Sequence, residues 1–95
     1  MHVFSSTEIV QGLTTIPAWR LENAALARSF TFSDFREAMS FVNSVADLAE
    51  KAGHHPDIDI RYNKVRLGLV SHDAGGVTER DASMAKRIGK QFGAA

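Results

Sequence analysis

Three of the four histidines, His54, His55 and His72, fall in the stretch from Glu50 to Asp81, two of them side by side. An imidazole with an unperturbed pKa of ~6.5 can both give and take a proton near neutral pH, so several together can divide acid and base work. Pro56 holds His55 in extended backbone, which displays His54 and His55 at a helix-to-strand junction instead of winding them into the helix. His72 ends a strand, and the loop Asp73 to Val77 leads to the first turn of the last helix, where Asp81 stands. If the hairpin return brings these groups together, the pocket edge carries three imidazoles and a carboxylate able to hold a ring tautomer or accept a proton.

Each member also has a plainer role. Asp81 stands three residues after Thr78, the spacing of a capping box. Glu50 is placed to end a solvated helix face and is a secondary site candidate, while Asp57 and Asp59 alternate on a polar strand face and receive no catalytic role. A metal site from His54, His55, His72 and Asp81 is disfavoured, because adjacent residues in extended backbone point to opposite faces. Nor is there a His-x-x-His or His-Glu-x-x-His spacing. With no cysteine, thiolate chemistry and disulfides are excluded.

The elements that must position these groups are read from periodicity. Ser5 and Glu8 have capping-box spacing before Ile9, Val10 and Leu13, and Pro17 must end that short helix. Between Trp19 and Phe32 the apolar residues nearly alternate, predicting two strands with a turn at Asn23. Leu26, Phe30 and Phe32 share a face that Arg28 interrupts, which suggests an edge position or an aliphatic stem lying over the sheet. Ser33 is read as the cap of a long helix whose stripe is Phe35, Ala38, Met39, Val42, Val45, Ala46 and Ala49, with Gly53 as its stop. Met39 and the neighbouring Phe41 are assigned to packing. Ile58, Ile60 and Tyr62 alternate with charged residues, Asn63-Lys64 breaks the run, and Val65, Leu67 and Leu69 alternate again, a hairpin with one polar face. Ala82, Ala85, Ile88 and Phe92 mark a closing amphipathic helix. The order α-β-β-α-β-β-α predicts an α+β domain with antiparallel pairing and helices over one sheet face.

At 95 residues and 44% hydrophobic, the chain suits one domain spanning residues 1–95. Eleven basic and eleven acidic residues give no field for nucleic acid or an anionic membrane surface. No stretch reaches the ~18 apolar residues of a membrane span, and Met1 to Val10 has no basic leader, so a soluble, cytoplasmic protein is expected. A chain this small without disulfides commonly gains stability by self-association.

The pattern Glu50-x-x-x-His54-His55-Pro56, then Tyr62, His72 and Asp81 with five, nine and eight residues between them in turn, resembles the signature of the pterin-4a-carbinolamine dehydratases. Tyr62-Asn63-Lys64-Val65 and Gly75-Gly76-Val77-Thr78 are similar to that family's wording too, although Ile58 and Ile60 stand where relatives often carry aromatics and Ser71 where Thr is common. The resemblance implies a four-stranded antiparallel sheet with helices on one face, assembled as a homodimer or homotetramer. It implies dehydration of 4a-hydroxytetrahydrobiopterin to quinonoid dihydrobiopterin without metal or cofactor, and a functional link to phenylalanine hydroxylase. It carries over His54, His55 and His72 as catalytic and substrate-contacting histidines and Asp81 as their support. Glu50, Pro56 and the backbone around Ser71, Asp73 and Ala74 would face the pterin. The alternatives are a dimerisation cofactor for a transcription factor and a related enzyme acting on another pterin, such as in molybdopterin handling.

Overall fold

The computed structural model describes residues 1–93. Seven elements follow the expected order: α1 (Ser6–Gly12), β1 (Arg20–Glu22), β2 (Ala25–Thr31), α2 (Phe35–Ala52), β3 (Asp57–Arg61), β4 (Lys64–Leu69) and α3 (Glu79–Phe92), with one 3-10 turn, Leu13–Thr15, after α1. The four strands form one antiparallel sheet in the order β1-β2-β4-β3. Among the described residues no helix is long and apolar enough to cross a membrane.

Register explains which side chains are buried. Leu26 pairs with Leu69, Arg28 with Leu67 and Phe30 with Val65, so these six side chains share the face that meets the helices. Val65, Leu67 and Leu69 lose all contact with solvent, worth about 1.5–3 kcal/mol each. Arg28 breaks the apolar face for a reason: its Nη1 donates to the Gly93 carbonyl just past α3 at 2.7 Å, and its guanidinium lies 4.3 Å from the Phe30 ring centroid. It satisfies a helix C-terminus, where positive charge is favoured, while its stem covers the sheet. The opposite face, with Lys64, Arg66, Asp57 and Asp59, carries no helix.

Several local expectations change. The cap of α2 is Asp34, whose carboxylate accepts from the Glu37 amide at 2.8 Å, and Ser33 instead donates to the Glu37 side chain. The buried stripe of α2 is Ala38, Phe41, Val45 and Ala49, whereas Phe35 and Ala46 are exposed. Phe41 packs against Phe30, Phe32 and Phe92 at ring separations of 4.5, 4.9 and 4.8 Å. Tyr62 is not a strand residue: Arg61 pairs with Lys64, so Tyr62 and Asn63 make the turn, and Tyr62 is exposed at a φ of 53°.

The β1-β2 hairpin closes through Asn23 and Ala24, at φ of 50° and 62°. Two left-handed residues in a two-residue turn ask for Asn-Gly, and the second here is alanine, whose Cβ is strained in that region. Ala24→Gly is therefore expected to stabilise the protein by about 1 kcal/mol, raising Tm by about 4–8 °C in a thermal melt. An unchanged or lower Tm would contradict it.

Candidate active site

The site forms where α2, the start of β3, the end of β4 and the start of α3 meet. Gly53 takes φ 64° after α2, its amide reaches the Glu50 carbonyl at 3.4 Å, and the His54 amide reaches the Ala49 carbonyl at 3.2 Å. These two hydrogen bonds of a left-handed helix stop fix the His54 backbone one residue after the turn. Its ring points inward, 11% exposed, and Nε2 lies 2.6 Å from Asp81 Oδ1.

Asp81 itself is wholly buried. Its Oδ2 accepts from the Thr78 amide at 2.8 Å and from the Ser71 hydroxyl at 2.9 Å. Ser71 spends its one proton there, so the Thr78 hydroxyl, 2.8 Å away, donates to Ser71. One carboxylate thus does both jobs left open by its spacing: one oxygen closes the cap of α3 and the other holds a histidine. An ionised carboxylate only accepts, which makes His54 Nε2 the N–H and leaves the lone pair on Nδ1.

The other two imidazoles are displayed outward. His55 Nε2 meets Glu50 Oε2 at 2.5 Å in an exposed pair, and Pro56 is half-buried. His72, 74% exposed, places Nε2 3.5 Å from Asp57 Oδ2. Asp57 lies two residues beyond His55, so this contact sets His72 beside the start of β3, which follows the His54-His55 segment. Asp57 is a solvated strand residue, as its alternation on a polar face predicts, its side chain 66% exposed. The signal that places it was the hairpin register, in which Asp57 opposes Gly68, four residues before His72.

The turn carrying His72 is held rigidly. The Ser71 amide bonds the Gly76 carbonyl at 3.0 Å, and the Ser71 carbonyl accepts from Ala74 and Gly75 at 3.0 and 2.9 Å. Ser71 thus spends both backbone groups and its hydroxyl within the protein. Arg80 reaches Asp73 at 2.5 Å, and this hydrogen bond holds the Asp73 carboxyl below the usual carboxylate range and raises Arg80 in turn. The Phe4 amide bonds the Val77 carbonyl at 2.8 Å, and Val3 packs so closely on Gly76 that a Cβ there would lie 2.6 Å from it. A hollow of about 330 Å³ borders His54, with Arg80, Ser83 and Arg87 on its wall. A larger one, about 440 Å³, lies between α1 and α3 and contains none of the three histidines.

The amino-acid sequence matches a known family model. Residues 2–91 fit the model described as pterin 4 alpha carbinolamine dehydratase. The chain belongs to this family. A protein of Acidobacterium capsulatum, provisionally named a pterin-4-alpha-carbinolamine dehydratase, is 60% identical over 84% of this chain and 87% of its own. One of Chloroflexus aurantiacus, with the same provisional name, is 53% identical over 98% of this chain and 100% of its own. Among solved structures, a transcriptional coactivator/pterin dehydratase from Brucella melitensis superposes with a TM-score of 0.85 at 34% identity, covering 94% of this chain and 97% of that one. A pterin dehydratase-like protein identified as a RuBisCO assembly factor in the alpha-carboxysome superposes at 0.66 with 25% identity, over 82% and 93% of the two chains. The family match spans every residue of the histidine site.

Proposed function

We propose that this protein is a hydro-lyase that dehydrates a 4a-hydroxytetrahydropterin by histidine acid/base catalysis. The observation that carries the reading is the His54–Asp81 pair, an imidazole with its ring orientation fixed by a wholly buried carboxylate. The reaction asks for two proton transfers. Hydroxide leaves poorly, so the C4a–O bond breaks as an imidazolium protonates the departing oxygen to water. The N5 electron pair forms the C4a=N5 double bond, and a neutral imidazole removes the N5 proton. The two histidines then exchange their protons with solvent and the cycle closes. Each positioned transfer contributes roughly 10²–10⁴-fold.

His54 is the leading acid/base group through Nδ1, His72 the second proton-transfer or orienting group, and His55 a binding group. Glu50, Pro56 and the backbone of Asp73 and Ala74 complete the substrate's surroundings. Phe35 and Ala46 on α2, exposed beside the half-buried Met39 and Val42, form an unpartnered apolar stripe that supports assembly as a homodimer or homotetramer. An aromatic amino-acid hydroxylase would supply the 4a-hydroxy substrate, and the quinonoid dihydro product would then be reduced back to the tetrahydropterin.

The test is a dehydration assay on synthetic 4a-hydroxytetrahydropterin, with the same preparation run by sedimentation velocity. Enzyme-dependent loss of the 4a-hydroxy species, unaffected by a chelator, is expected. A rate equal to the uncatalysed one would end the reading, and loss of activity on chelation would restore the metal alternative.

A further inference from the structure

We infer that Asp57 is a positioning residue for His72, so that all three imidazoles of the site work as histidine–carboxylate pairs that turn the same nitrogen, Nδ1, toward the substrate. This rests on the dehydratase reading above and adds to it a residue that the family signature quoted for this chain does not contain.

The three pairs come from three different elements. His54 meets Asp81 in the first turn of α3, His55 meets Glu50 in the last turn of α2, and His72 meets Asp57, the first residue of β3. In every case the ring nitrogen facing the carboxylate is Nε2. At His54 and His55 the distances, 2.6 and 2.5 Å, are those of hydrogen bonds, so a carboxylate that only accepts makes Nε2 the N–H and leaves the lone pair on Nδ1, while at 3.5 Å Asp57 draws the His72 Nε2 by charge alone.

Asp57 is free for this role because its neighbours are engaged elsewhere. On the sheet face without helices, Arg66 is committed to Glu22 at 3.0 Å and Arg61 to Asp59 at 3.3 Å. The carboxylate beside His72 in sequence, Asp73, is held by Arg80. A Cβ at Gly68, opposite Asp57, would sit 3.7 Å from both Asp57 Cβ and Arg66 Nη1, so the Arg66 guanidinium, held by Glu22 through Nη2, lies over this position. Asp57 is thus the carboxylate left to face His72. In open solvent a pair at 3.5 Å restrains an exposed ring weakly, but a planar substrate laid against His72 excludes water and strengthens the attraction.

The experiment compares Asp57→Ala, Asp57→Glu and Asp59→Asn in the dehydration assay, alone and combined with His72→Ala, and records ¹⁵N shifts of the His72 ring. Asp57→Ala is expected to lower kcat roughly tenfold, part of the roughly 10²–10⁴-fold of a positioned proton transfer, with KM and Tm little changed. Asp57→Glu should recover most of that loss and Asp59→Asn should be neutral. In the His72→Ala background Asp57→Ala should cost nothing further, because residues acting through one another are non-additive. The ring shifts should report Nε2–H in the parent and a mixture of tautomers in Asp57→Ala. Equal losses from Asp57→Ala with and without His72 would overturn the inference while leaving the dehydratase reading intact. An inactive parent would overturn that reading instead, and the ring shifts would then decide the pairing: an unchanged tautomer in Asp57→Ala refutes it.

Discussion

Replacing His54 with glutamine is expected to lower kcat for dehydration by roughly 10²–10⁴-fold while leaving the fold intact. At 1.36 kcal/mol per decade this is about 2.7–5.4 kcal/mol of lost transition-state stabilisation. Glutamine is the informative choice because its amide N–H can still donate to Asp81 Oδ1, which lies 2.6 Å from the histidine nitrogen, yet it cannot exchange a proton. His54→Ala should lose the same activity and in addition about 1–3 kcal/mol of stability, since it strips a hydrogen bond from a wholly buried carboxylate. Rapid-mixing kinetics and thermal melts on the two variants separate the effects. A glutamine variant with undiminished kcat would remove His54 from the chemistry and shift the acid/base role to the exposed pair at His72.

The sequence made the element order, the antiparallel sheet and the cluster of histidines legible, because all three are local signals: alternation, caps and Gly53 act within a few residues. It was weaker where two local solutions compete. Ser33 and Asp34 are both good caps, and the choice follows from which residue adopts extended backbone, here Asp34 at a φ of −156°. On α2 two apolar stripes lie side by side, and only packing against Phe30, Phe32 and Phe92 decides that Phe41 turns inward and Phe35 outward. Tyr62 continues the alternation of β3, but a two-residue turn needs a left-handed position and takes it. At the site, spacing alone left Asp81 either as a cap or as a catalytic support, because its two oxygens serve both. Asp57 could be placed beside His72 only through the pairing of β3 with β4, a tertiary fact that a polar strand residue does not announce.

The same two-oxygen geometry makes Asp81→Asn the sharper probe of mechanism. The oxygen facing the Thr78 amide and the Ser71 hydroxyl must remain an acceptor, so the asparagine carbonyl takes the place of Oδ2 and its NH₂ the place of Oδ1, toward His54. His54 Nε2 must then accept instead of donate, which moves the ring proton to Nδ1 and blocks the nitrogen that meets the substrate. Activity is expected to fall by as much as about 10⁴-fold, the scale seen when a histidine base is held in the wrong tautomer. Because shape and most hydrogen bonds survive, Tm should drop far less than in Asp81→Ala, which also opens the cap of α3 and leaves the Thr78 amide and Ser71 hydroxyl without their acceptor. In a His54→Gln background the asparagine should take nothing further from kcat, since the group it acts through is already gone. An Asp81→Asn enzyme that keeps its rate would show that the carboxylate serves α3 as a cap alone, and the support of His54 would have to be sought elsewhere.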